Sequence, residues 1–203
     1  MIYFFIFLTA CAFTALHAGM GLDRLMQGNK RFVEEKLEHP NRSAEAREAV
    51  TCKQEPFAVI VGCADSRVAP EILFDQGVGD LFVVRVAGNV VGPLELESIE
   101  YSALYLHSSI ILVMGHENCG AIDAVIQNKA NTIRSIEKLI IPAIEGVKKE
   151  GNTDYLNACV KANAESVRDY LIKTPIIKKL IEEKKVEVRA AYYDLNTGAV
   201  KVL

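Results

Sequence analysis

The spacing of apolar residues changes several times along the chain, and each change marks an element. Leu22, Leu25, Met26, Phe32, Val33 and Leu37 recur at roughly helical spacing among charged residues, which predicts an amphipathic helix over 22–38. Pro40 breaks that pattern, and SAEAREAV starts a second helix behind Ser43, whose hydroxyl can cap a free amide of the first turn. Three short runs then lack any polar face: FAVIVGC (57–63), DLFVVRVA (80–87) and SIILVMG (109–115). Rich in β-branched residues, they predict strands buried on both faces. ELESIEYSALYLH (95–107) is helical between the second and third, as in a right-handed βαβ crossover. Pro70 opens a short helix, and QGVGD (76–80) is the turn into the second strand. Helical segments near 120–129, 134–149, 154–173 and 176–184 follow. VEVRAAYYD (186–194), the turn LNTG and AVKVL close the chain as a hairpin. The expected class is α/β: a mostly parallel central sheet, about four parallel strands plus an antiparallel edge strand, flanked by helices.

Composition narrows the picture. The chain has 203 residues, half of them hydrophobic, enough for one sizeable core, so a single domain over 22–203 is expected. With 23 basic and 26 acidic residues and no basic stripe, nucleic acid is not an expected partner. MIYFFIFLTACAFTALHA (1–18) contains no charged residue and is followed by a small one, Gly19. It reads as a cleavable signal cut after Ala18, placing the protein in the periplasm or outside the cell. No Lys or Arg precedes the apolar run and Leu16 is large for a cleavage site, so the alternative is a cytoplasmic protein. Membrane attachment is expected only if 1–18 stays uncleaved or if Cys11, in the lipoprotein-like LTAC, is lipidated.

The candidate chemistry sits at strand ends. Cys63 and His116 close the first and third predicted strands, and Cys119 would open the next helix, where the helix dipole favours a thiolate. In open α/β sheets, sites form beyond the carboxyl ends of the strands, so three soft ligands can converge on one edge. Two thiolates and an imidazole suit Zn(II), and three protein ligands leave a fourth position for water or substrate. Asp65 competes for that position, and Arg67 could hold it away through a charge-assisted pair. Other readings of the same residues remain. Without Cys11 the cysteines number four (Cys52, Cys63, Cys119 and Cys159), which an exported protein could pair or use in redox chemistry. They could also be packing residues, with Asp65 as a helix cap and Arg67 as its surface partner.

Cys63-Ala64-Asp65-Ser66-Arg67 and His116-Glu117-Asn118-Cys119-Gly120, in this order and separation, resemble the two signature motifs of the β-class carbonic anhydrases. The likeness runs from about 22 to 203 and includes LFVVRVAGN and the terminal hairpin. It implies one Zn2+ per chain on Cys63, His116 and Cys119, with Asp65 and Arg67 as a catalytic dyad. It implies reversible hydration of CO2 to bicarbonate and a proton by a zinc-activated hydroxide. Gln54 matches a glutamine that hydrogen-bonds the substrate, and Phe82 and Tyr101 match aromatic pocket walls. The family completes these walls across a dimer interface, with amino-terminal helical arms embracing the neighbour, so a homodimer or dimer of dimers is expected. Members in which the aspartate closes onto the metal carry a bicarbonate pocket with a tryptophan three residues before the first zinc cysteine. Here that residue is Ile60, and the Gln54, Phe82 and Tyr101 set matches the open members, so Asp65 is a metal ligand only if a closed form occurs. Val86 stands where many members have Asn. Relatives that hydrolyse carbonyl sulfide or carbon disulfide use the same motifs, and a zinc-binding or redox domain without turnover is the non-enzymatic alternative.

Overall fold

A computed structural model describes residues 7–151 and 153–203. Its first six residues, part of the expected signal segment, lie outside this range. Residues 7–18 run on into the first helix, α1 (Phe7–Val33). Among the described residues, no helix is long and apolar enough to cross a membrane.

The remaining elements follow in an almost regular strand–helix alternation. They are α2 (Ala44–Ala49), β1 (Ala58–Gly62), α3 (Pro70–Leu73), β2 (Leu81–Arg85), α4 (Pro93–Tyr105) and β3 (Ile110–His116). Then come α5 (Gly120–Ile126), α6 (Arg134–Ile144), α7 (Tyr155–Leu171), α8 (Pro175–Glu182), β4 (Glu187–Tyr193) and β5 (Val200–Val202). Ser43 caps α2 as its sequence suggested, accepting from the Ala46 amide at 3.1 Å. The sheet order is β2-β1-β3-β4-β5, with the first four strands parallel and β5 antiparallel to β4.

Side chains that alternate along the central strands feed two different cores. Val59, Val61, Ile111 and Val113 pack with Ile99, Leu171, Ile177 and Leu180 from the helices α4, α7 and α8. Ala58, Ile60, Ile110, Leu112 and Met114 pack on the other face with Leu25 of α1 and with Leu73 and Phe74 around α3. This two-sided burial is why β1 and β3 carry uninterrupted apolar runs. The second strand does not share it: β2 is half-buried along its length because it is the sheet edge, with a strand neighbour on one side only.

Helix α1 also departs from expectation, stopping at Val33 instead of continuing to residue 38. The Lys36 amide reaches back to Arg31 O at 2.8 Å while Glu35 adopts φ 54°, a left-handed terminus built without glycine. The reason lies at Asp75, whose side chain is fully buried and accepts from Arg31 Nε at 2.7 Å, the Glu38 amide at 2.9 Å and the His39 amide at 3.1 Å. Helix and returning chain must both reach one carboxylate, so the helix has to end between them. Close approach fixes the other end of this contact. A Cβ on Gly28 would lie 1.8 Å from the Phe74 carbonyl oxygen, so only glycine lets α1 lie on α3.

Burial alone would raise the Asp75 pKa; the Glu38 amide, the Arg31 guanidinium and the His39 amide outweigh it, and the carboxyl ends below its ordinary value. Replacing Asp75 with alanine orphans these donors, with an expected loss of about 2–4 kcal/mol in urea unfolding at pH 7. Because the folded pKa is depressed, that contribution is complete above an unfolded value of about 3.9 and disappears as pH falls through the folded one. The stability gap between wild type and Asp75→Asn should therefore narrow below about pH 4; a gap independent of pH would contradict the assignment.

Candidate active site

Parallel pairing sets Gly62 beside Met114, so Cys63, just past β1, and His116, the last residue of β3, emerge on one sheet edge. Cys119 is the cap residue of α5 and comes back to the same place. All three are buried, and their ligand atoms lie within 4.8 Å of one another. The Cys63 and Cys119 sulfurs are 4.0 Å apart. A disulfide requires about 2.05 Å, whereas two sulfurs on a tetrahedral zinc, each about 2.3 Å away, would be separated by about 3.8 Å. Cys52, Cys63, Cys119 and Cys159 are all free, which removes the expectation that they might pair.

His116 supplies the observation that most favours a cation. Its Nδ1 lies 2.9 Å from the Glu117 carbonyl oxygen, which can only accept, so Nδ1 carries the proton. That leaves the Nε2 lone pair, and Nε2 is buried without any hydrogen-bond partner. Buried polar atoms are rarely left orphaned, and an imidazole oriented through its other nitrogen is how metal-bound histidines are held. The sulfurs point to the same conclusion. The Cys63 and Cys119 sulfurs are within hydrogen-bond reach of each other, and that contact, with the amides of Asp65 (3.4 Å) and Gly88 (3.3 Å), holds the Cys63 thiol below its ordinary pKa against the effect of burial. Cys119 shifts upward in turn, because its proton serves Cys63 and because it is buried. A dication held by the two sulfurs would take over the role of that proton. The residues present therefore fit Zn2+.

Asp65 stands beside the ligands and does not join them. Both its oxygens are engaged by Arg67: Nε and the backbone amide donate to Oδ1 at 2.9 Å, and a terminal nitrogen donates to Oδ2 at 2.7 Å. These bonds, the guanidinium first, hold the Asp65 carboxyl well below the usual carboxylate range. Its Oδ2 still lies 3.9 Å from His116 Nε2.

Several supporting residues give no clear sequence signal. Arg85, at the end of β2, donates to the carbonyls of Cys63 at 2.9 Å and Asp65 at 2.6 Å, pinning the loop that carries both. Buried Asn163 holds the Gly88 carbonyl at 2.8 Å, presenting the Gly88 amide to Cys63. The amide of Asn118 is held by Asn157 Oδ1 at 3.1 Å and its carbonyl by Arg67 at 3.3 Å. A charge closing an apolar strand was the one visible hint, at Arg85.

Gln54, Phe82 and Tyr101 are brought toward one another but not to the ligands of their own chain. The Phe82 and Tyr101 rings are 6.4 Å apart, and Gln54 and Tyr101 line an open groove of about 710 Å3 with Tyr105 and His107. Phe82 pairs with Val59, four residues before Cys63, so about 13 Å of strand separates this group from the metal end.

Fold and site together define a class: an α/β protein with a Cys–His–Cys candidate metal centre at the carboxyl edge of a parallel sheet. Residues 58–200 match the carbonic anhydrase family. Carbonic anhydrase 2 of Mycobacterium tuberculosis is 34% identical over 180 residues, covering 86% of this chain and 87% of that protein. A carbonic anhydrase of Mycolicibacterium smegmatis is 44% identical over 133 residues, 63% of this chain and 65% of that one. The solved Coccomyxa β-carbonic anhydrase, in complex with acetazolamide, aligns at 30% identity with a TM-score of 0.71, covering 77% and 75% of the two chains. The chain belongs to the carbonic anhydrase family, in its β class.

Gly88 has φ 73°, and an added Cβ would sit 3.0 Å from Ile140 Cδ1 and 3.4 Å from Ala121 Cβ. Gly88→Ala is expected to lower unfolding free energy by about 1–3 kcal/mol through left-handed strain at a crowded position. Chemical denaturation measures it, and an unchanged midpoint would show that the turn relaxes freely.

Proposed function

We propose that this chain is a zinc enzyme that reversibly hydrates carbon dioxide to bicarbonate and a proton, with one ion held by Cys63, His116 and Cys119. The observation that carries the reading is the unpartnered, buried His116 Nε2 grouped with two free sulfurs. Zinc, when bound, would act as Lewis acid and lower the pKa of a coordinated water, to about 7 in the three-histidine carbonic anhydrases for which that value is known. Two thiolates donate more charge than imidazoles and would keep that pKa higher.

The chain's own residues supply the rest. Asp65, kept ionised by Arg67, accepts a hydrogen bond from the attacking water and turns its lone pair toward CO2. Arg67 occupies both carboxylate oxygens and so keeps Asp65 from becoming a fourth ligand. Ile60 is fully buried in the sheet and its hydrocarbon side chain has no donor to offer an anion, which supports the open form. Gln54, Phe82 and Tyr101 would line the substrate pocket of a neighbouring copy, in a homodimer or dimer of dimers. The half-buried edge strand β2 and the exposed Tyr101 and Tyr105 favour such a partner. Hydrolysis of carbonyl sulfide or carbon disulfide, and zinc binding or redox chemistry without turnover, are not favoured, since the named relatives are carbonic anhydrases. Export through residues 1–18 is part of the same proposal; protein from its native host should begin after Ala18, and an intact Met1 in the soluble cytoplasm would refute it.

Stopped-flow CO2 hydration tests the reaction. Activity should vanish on removal of zinc with a chelator and return on re-addition. Cys63→Ser and His116→Ala should lose both metal and turnover, and an active metal-free sample would overturn the mechanism. Sedimentation at assay concentrations tests the shared pocket. A dimer or larger is expected, with Gln54→Ala lowering kcat/KM by about tenfold or more through loss of a substrate hydrogen bond. A fully active monomer would exclude it.

A further inference from the structure

Two residues separate the ligands His116 and Cys119, and the first is held from three directions. The Glu117 carbonyl accepts the His116 Nδ1 proton at 2.9 Å. Its amide donates to the Tyr193 carbonyl at 2.8 Å, extending the pairing of β3 with β4 by one residue. Its carboxylate crosses to the β4–β5 turn, accepting from the Leu195 amide at 3.0 Å and from Asn196 Nδ2 at 2.9 and 2.8 Å. The turn is itself rigid. Asp194 Oδ1 accepts the amides of Asn196 at 3.0 Å and Thr197 at 2.9 Å. Buried Asn29 of α1 then clamps it, donating to the Gly198 carbonyl at 2.9 Å and accepting from the Val200 amide at 2.8 Å.

We propose that Glu117 is a positioning residue that ties the imidazole of the metal ligand His116 to the terminal hairpin. This rests on the reading of His116 as a metal ligand. The physical need arises one residue later, where Asn118 adopts φ 52°. A non-glycine residue in that region carries strain that a turn of the 117–118 peptide would relieve. Such a turn swings the Glu117 carbonyl away from His116. Nδ1 then loses its acceptor, and the tautomer that leaves Nε2 free to bind a cation is no longer selected. The carboxylate's three bonds to the hairpin oppose that turn, so a residue without contact to the metal holds the ligand in register.

The test uses the full chain loaded with zinc or cobalt(II), comparing wild type, Glu117→Ala, Glu117→Gln, Asn196→Ala and the Glu117→Ala/Asn196→Ala pair. The readouts are zinc release into excess chelator at 25 °C, the visible spectrum of the cobalt form, and Tm. Glu117→Ala should release zinc about 10- to 100-fold faster, the range found when supports of metal ligands are removed, with an altered cobalt spectrum. Glu117→Gln should stay close to wild type, because its amide oxygen still accepts the Leu195 proton. Asn196→Ala should give a smaller change in the same direction, and the double variant should be no worse than Glu117→Ala. A lower Tm with unchanged zinc release and cobalt spectrum would overturn the proposal, since it would reduce Glu117 to a stabilising contact. If Glu117→Ala does not fold, the exposed Asn196→Ala decides by the same criterion. Wild type that bound neither metal would instead refute the metal reading of the site.

Discussion

The parallel pairing of β1 with β3 is the constraint on which the site depends. Parallel strands deliver their carboxyl ends to one edge, and the Gly62–Met114 register places Cys63 and His116 there together. An antiparallel arrangement would send the two ligands to opposite ends of the sheet. Two-sided burial secures this register. A one-residue slip would exchange the core facing α4, α7 and α8 for the one facing α1 and α3.

Gathering those ligands creates an electrostatic problem that the surroundings address. Taking a thiolate out of water costs several kcal/mol unless it is compensated, and Cys63 is compensated by two amides and by the Cys119 proton. The amides come from loops held elsewhere: Arg85 fixes the Cys63–Asp65 turn, and Asn163 fixes Gly88. Asp65 is likewise neutralised by a forked guanidinium and not by the ligand set. Negative charge is thus concentrated at one point while its neighbours are paired off, an arrangement suited to a soft dication.

The opposite end of the sheet has a different character. Phe82 on the edge strand and Tyr101 on α4 form an aromatic surface beside the groove containing Gln54. Phe82, paired with Val59, lies about 13 Å of strand from Cys63. The division is what the proposed pocket between subunits requires, in which one copy would provide the ligands and dyad and its neighbour the walls.

Much of this was legible in the sequence. Two-sided apolar runs betrayed the central strands, Ser43 and Pro70 marked helix starts, and Cys63, His116 and Cys119 stood at strand and helix ends where an α/β sheet gathers its ligands. Local chemistry suffices for these, because period and position are properties of short segments. Asp65 and Arg67 stood out as a possible charged pair, since a spacing of two lets one side chain fold back onto the other, and the family motifs added the catalytic role they imply. What the sequence could not announce were contacts between distant segments. Helix α1 stops at Val33 because Asp75 draws the chain around it; β2 is half-exposed because the strand order makes it an edge; Glu117 meets Asn196 across 79 positions. Each depends on which surfaces meet after folding, and neither periodicity nor spacing carries that information. The residues and their chemistry were written locally, while their partners, and so the orientation of His116 and the charge state around it, were decided by tertiary packing.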